Sequence, residues 1–209
     1  MAIFKPYIKK HIYQQFPFVA PKLMTMIDEE YALVKRNVDF AHHSVNPLDK
    51  RLDLAAYILS VIIILDEQGI AYDQIKSIIL NVANEYVKPK NALHAWWKKA
   101  KVNLLSQPYM HWFLDKFDTK VSRKGHPDGF VAHIIQKRKS DNEFVFGFDI
   151  LECGICKLFN RYDYGHYVHI LCEVDFITSE LAGLTLHRSG TIASGAHKCD
   201  FRFEKLNNK

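Results

Sequence analysis

A chain of 209 residues, 48% hydrophobic and 24% charged, has the material for one good-sized core or two small ones. Its longest apolar run, Ala55 to Leu65, is broken by Ser60 and falls short of the roughly 20 residues that a bilayer-spanning helix needs. Met1-Ala2-Ile3-Phe4-Lys5-Pro6 lacks the apolar stretch and small-residue cleavage site of a secretory leader. The net charge of +5 is spread over several short basic runs, the densest being Lys137-Arg138-Lys139, rather than gathered into one stripe. That spread argues against nucleic-acid binding, and a cytoplasmic protein that engages neither membrane nor nucleic acid is expected. Its four cysteines then stay reduced, which favours thiol chemistry, metal binding or plain packing over disulfides.

In chain order, Pro21 to Asn37 has helical spacing, with Leu23, Ile27, Tyr31 and Val34 on one side. Asn46-Pro47 is a break. Asp49 is expected to cap a very apolar helix from Lys50 to Gln68, ended by Gly69. Asp73 is placed to cap a helix to about Val87, stopped by Pro89. Asn91 opens a further helix through Trp96, Trp97 and Leu104, and Pro108 to Phe117 reads as a short one. After the turn-rich Gly125-His126-Pro127-Asp128-Gly129, Phe130 to Lys137 and Phe144 to Leu151 read as strands. Lys139-Ser140-Asp141-Asn142 between them predicts a hairpin. Two helices follow, Glu152 to Asn160 and Tyr167 to Leu181, then two strands, Leu184 to Gly190 and Lys198 to Glu204.

This order, β-β-α-α-β-β, predicts an α+β fold: a helical N-terminal half covering a C-terminal antiparallel sheet of about four strands. Residues 1–118 form the helical region and 119–209 the α+β region. No linker divides them, so one integrated domain is expected.

Every cysteine lies in the last third of the chain, and the chemistry is expected there. Cys153 and Cys156 stand at i and i+3 on a helix and can face one partner. Cys153 opens that helix, where the peptide dipoles favour a thiolate. In the next helix Cys172, Asp175 and Ser179 share one side, off the main apolar stripe, with His169 at the edge. A thiol beside an imidazole and a carboxylate is material for nucleophilic or acid–base catalysis, and equally for a half-exposed polar edge. Strand alternation puts Leu184, Leu186 and Arg188 on one face. A guanidinium at the end of an apolar row needs a partner: Asp175, Glu152, or a ligand carboxylate gripped by two parallel bonds. Thr191 to Gly195 is a small-residue turn that either offers backbone amides to a ligand or simply joins two strands. In the last strand Cys199, Phe201 and Phe203 point inward. Free cysteines are also common as small buried hydrophobes. A tetrahedral zinc site on Cys153, Cys156, Cys172 and Cys199 stays open if the fold converges them. Otherwise no cofactor is expected.

Taken together, Glu152-Cys153-x-x-Cys156, Cys172-Glu173-x-Asp175, Leu186-x-Arg188-x-x-Thr191-Ile192-Ala193-x-Gly195 and Cys199-Asp200-Phe201-x-Phe203 resemble the C-terminal pattern of the L-2-amino-thiazoline-4-carboxylic acid hydrolase family. The resemblance covers about the last 55 residues. More distantly, the region resembles 4-vinyl-reductase-like ligand-binding domains, some of them sensors with cysteine-bound zinc. The first resemblance implies a hydrolase opening a C–N bond of a small cyclic amidine-like carboxylate. Cys172 or Cys153 would attack or orient water, and Asp175 would relay protons. Arg188 would hold the substrate carboxylate, helped by Thr191, His169 and Glu152. The alternative is a non-catalytic small-molecule-binding or sensor module. Either reading makes the partner a small molecule, and a homo-oligomer is compatible with both.

Overall fold

The computed structural model describes residues 4–88, 111–136 and 146–206. The expected helix from Asn91, the hairpin turn at Lys139–Asn142 and the first residues of the second strand lie outside them. The helices are α1 (Lys5–Gln15), α2 (Ala20–Val34), α3 (Arg51–Glu67), α4 (Tyr72–Val87), α5 (His111–Val121), α6 (Gly154–Arg161) and α7 (Val168–Leu181). The strands are β1 (Val131–Gln136), β2 (Phe146–Glu152), β3 (Leu184–His187) and β4 (Cys199–Lys205). They form one antiparallel sheet in the order β1-β2-β4-β3. The fold is α+β, as the residue pattern predicts.

Two helical details depart from the sequence expectation. Helix α1 was not foreseen: Ile8 and Ile12, one turn apart, are its only fully apolar anchors, and both are completely buried. Its formation rests on docking against α4 and α2 rather than on a broad apolar stripe. The helix expected to run to Asn37 ends at Val34 and tightens into a 3₁₀ segment, Lys35–His42, which buries Val38 and Ala41.

Helix α3 is apolar all round and lies at the centre, buried continuously from Ala55 to Leu65 against α2, α4 and α6. Asp49 does not cap it. Its side chain is fully buried, accepting the Phe130 backbone N–H at 2.8 Å and the Ser44 hydroxyl at 2.5 Å. It thereby ties the start of α3 to the start of β1, and α3 begins with no side-chain cap. Asp73 likewise sits inside the first turn of α4, whose capping position is Ala71.

Strand register sets the inner face of the sheet. Pairing of Phe146 with Phe203, Phe148 with Phe201 and Ile150 with Cys199 stacks aromatic rings across β2 and β4. Ala132 and Ile134 extend this face on β1, and Leu184 and Leu186 on β3. Helix α7 packs on the β3 side and α5 on the β1 side. One hydrophobic cluster runs from Ile8 through α3 to Phe203, so the helical half and the sheet share a core.

Candidate functional site

The site is assembled where the N-terminus of α6 meets one side of α7 and the inner ends of β3 and β4. Gly154 makes the first contact fit. A Cβ there would lie 2.9 Å from the Asp128 carbonyl oxygen and 3.1 Å from Leu52, so only glycine lets α6 start so close to α3. Cys153 then occupies the capping position with extended backbone.

The thiols are not equivalent. The Cys156 S–H donates to Cys153 and, against the cost of burial, holds the Cys153 thiol below its ordinary pKa; the amides of Cys156 and Ile155 add to this. The sulfur makes no capping hydrogen bond of standard geometry, so those amides act on it as the open dipole end of the helix. Cys156 is driven up by donating that proton and by burial. Burial pushes Cys172 up to about 12, with Asp175 reinforcing and Arg188 opposing. Burial also raises Cys199, against the Ile192 N–H that donates to its sulfur at 3.2 Å. Cys153 is therefore the thiol whose ionisation the fold favours, and Cys172 is held as a thiol. Cys153 and Cys172 are half-buried, Cys156 and Cys199 buried.

Arg188 has a partner in the chain. Its Nη1 donates to Asp175 Oδ2 at 3.2 Å and its Nη2 to the Cys172 carbonyl at 3.1 Å. The guanidinium carbon lies 4.8 Å from the Phe176 ring centre and 5.1 Å from that of Phe201, and the side chain is only 6% exposed. Burial pushes Asp175 up and outweighs the opposing fields of Arg51 and Arg188. Asp175 keeps 29% of its side-chain surface.

The other expected residues divide. Thr191 is buried and close by, but the amides around it are already engaged within the turn and by Cys199 and Asp200 of β4. Thr191 N–H donates to Ser194 Oγ, and Ser194 N–H returns to Thr191 Oγ1. Asp200 takes the amides of Ser189 and Gly190, and Gly195 closes the turn at φ +87°. The turn thus builds the β3–β4 connection. Glu152 is turned toward Lys124 and Lys157, at 2.8 and 2.5 Å, and does not pair with Arg188. His169 is exposed on α7. Among the described residues no group of three or more histidine, cysteine or acidic side chains is arranged to hold a metal ion.

Two voids flank the cluster. One, about 410 Å³, lies over the inner face of β1 and β2, with walls of Leu48, Phe113, Leu114, Phe117, Ala132, Ile134, Phe146 and Phe148, and Arg51 as the one charged lining residue among those described. The other, about 470 Å³, is a shallow depression over Phe176, Arg188, Asp200 and Arg202. Cysteines line neither. Arg51 links the first void to the cluster, because its charge acts on Asp175. Among the described residues no hydrogen bond or ion pair holds its guanidinium. Sequence reasoning passed over Arg51. The available signal was a cation in the first turn of a helix, where the peptide dipoles disfavour positive charge.

A buried acid was missed as well. Asp149, on the outer face of β2, is desolvated, but Lys198 at 2.6 Å and Arg202 at 2.8 Å outweigh that and hold its carboxyl below the usual range. It closes the outer face as a structural pair.

Helices over one face of a small antiparallel sheet, with a thiol–acid–guanidinium cluster beside an apolar void, define an α+β protein. The sequence model of the L-2-amino-thiazoline-4-carboxylic acid hydrolase family matches residues 56–203, most of the chain, and the protein belongs to that family. The likeness therefore starts at Ala56 in the central helix, well before the C-terminal motifs that carried the sequence resemblance. No curated protein and no solved structure matches the chain. Among the described residues no helix is long and apolar enough to cross a membrane.

Proposed function

We propose that the protein hydrolyses a C–N bond of a small cyclic amidine-like carboxylate, with Cys153 as nucleophile and Asp175 as proton donor. What supports this reading is the placement of Cys153 at the N-terminus of α6, a thiol whose ionisation is favoured, within electrostatic reach of the Arg188-paired Asp175, a carboxyl whose protonation is favoured. The Cys153 thiolate attacks the amidine carbon. The ring C–N bond breaks and its electron pair takes the Asp175 proton. Water then attacks the carbon bound to sulfur, giving its proton back to Asp175 and releasing the thiolate. Arg188, already engaged, positions Asp175, and the substrate carboxylate falls to Arg51, a cation that no hydrogen bond or ion pair among the described residues engages. Cys172, held protonated, supplies a carbonyl to Arg188 rather than a nucleophile.

The test is turnover of L-2-amino-thiazoline-4-carboxylate and related heterocyclic carboxylates, followed by product mass. Cys153→Ser should lower kcat at least a hundredfold, while Cys172→Ser stays within about tenfold of the parent. Full activity in Cys153→Ser would overturn the assignment. One observation favours a second reading, a non-catalytic binding module: no cysteine lines either void. That reading expects the ligand to be bound and recovered unchanged.

A further inference from the structure

The 410 Å³ void is poorly matched to a five-membered polar ring. It falls within the size range of small-molecule sites, roughly 300–1,000 Å³. Four of its walls are phenylalanines, from α5 and β2, and Leu48, Leu114, Ala132 and Ile134 complete an apolar lining. A small heterocycle would leave most of that volume empty and set its ring heteroatoms against hydrocarbon, where polar groups lose their hydrogen bonds without replacement. Phe113 and Phe117 are 57% and 39% exposed, apolar surface on α5. Arg51 is exposed and lines the same void, so its guanidinium stands where hydrocarbon wall meets solvent; its field reaches Asp175, but among the described residues no hydrogen bond or ion pair engages it.

We propose that this cavity binds a carboxylate with an aromatic or alkyl body. The body lies against Ile134, Phe146, Phe148 and Phe117, and the carboxylate pairs with Arg51 through two parallel N–H···O bonds. The ligand class is thus set by two features at once: the Arg51 cation, which selects the anionic end, and an apolar wall long enough to reward more than a small ring. The proposal takes from the functional reading above only that Arg51 receives the carboxylate. It places the apolar part of the substrate away from the Asp175 cluster, on the β1 side of the sheet.

Binding is measured by calorimetry on the full chain carrying Cys153→Ser, so that turnover does not enter. The probes are 4-phenylbutyrate, its neutral amide 4-phenylbutanamide, and L-2-amino-thiazoline-4-carboxylate. Phenylbutyrate should bind one per chain, at least tenfold more tightly than either of the others. Arg51→Gln should weaken phenylbutyrate about tenfold while leaving the amide unchanged, and Arg51→Lys should recover part of the loss. Ile134→Trp, which fills the void, should weaken phenylbutyrate and the amide alike; its near-ultraviolet circular dichroism separates a filled site from an unfolded one. Equal affinity for acid and amide, indifference to Arg51→Gln, or no phenylbutyrate binding at millimolar concentration each overturns the proposal. Loss of the binding pattern with Cys153-dependent hydrolysis intact sinks this inference alone. The converse result sinks only the catalytic one.

Discussion

Replacing Arg188 with methionine tests the electrostatics of the cluster directly. Methionine keeps an unbranched stem between Phe176 and Phe201 and removes both hydrogen bonds, at 3.2 Å to Asp175 and 3.1 Å to the Cys172 carbonyl. Hydrogen bonds to a charged group contribute roughly 1.5–3 kcal/mol each, and breaking a buried pair costs about 3–5 kcal/mol. Asp175 keeps part of its surface, which places the expected loss at the low end, about 3 kcal/mol near neutral pH. For a chain of this size that is roughly 6–12 °C in Tm. The loss should depend on pH in a definite sense. Asp175 has a native pKa above its unfolded value, so it favours the fold below the unfolded value and loses that contribution as pH rises through the native one. Arg188 pulls the native value down. Without it the value climbs further, and the deficit of the variant widens with pH. Urea unfolding of parent and variant at about pH 4.5 and pH 7.5 reads both effects, with the larger gap expected at the higher pH. Adding Asp175→Asn to the methionine variant should recover most of the loss at the higher pH. A deficit under about 1 kcal/mol, or one of equal size at both pH values, refutes a buried pair held by charge.

Three further outcomes follow from the same packing. Iodoacetamide mapped by peptide mass should label Cys153 first, at a pH midpoint below that of a free thiol. Cys156→Ala should raise that midpoint by removing the S–H donor; faster labelling of Cys172 would contradict the assignment. Tyr57 is fully buried and its hydroxyl has no partner among the described residues, so Tyr57→Phe should leave Tm unchanged or raise it by a few degrees, and a clear drop would mean a hidden partner. Asp49→Ala strands the Phe130 amide in the core and takes the acceptor from the half-buried Ser44 hydroxyl, and should cost roughly 2–4 kcal/mol by urea unfolding. Asp49→Asn, which keeps one acceptor, should cost less, and equal losses in the two would place the cause elsewhere.

Much of this architecture was legible in the residue pattern. Period-two alternation in Phe146, Phe148, Ile150 and in Cys199, Phe201, Phe203 assigned the inner face of the sheet, and the register confirms it. The continuous apolar run of α3 announced a buried central helix. Boundaries were harder where a side chain had two uses. Asp49 looks like a helix cap because capping needs only a local amide, whereas its actual donors are Phe130 and Ser44, one of them far along the chain. Helix α1 escaped notice because two isoleucines make no stripe until another helix covers them.

Local sequence settled which side chains share a face, since helix and strand periods are properties of the backbone alone. That put Cys172 with Asp175, Cys153 with Cys156, and Arg188 with the apolar row of β3. Only the folded chain decided what those groups become. Burial and long-range pairing, not residue type, make Cys153 the readily ionised thiol and Cys172 the reluctant one, commit Arg188 to Asp175, and set Arg51 beside a hydrocarbon wall. Proton affinity and charge pairing depend on what lies within a few ångströms in space, and sequence spacing does not encode that for residues drawn from different elements.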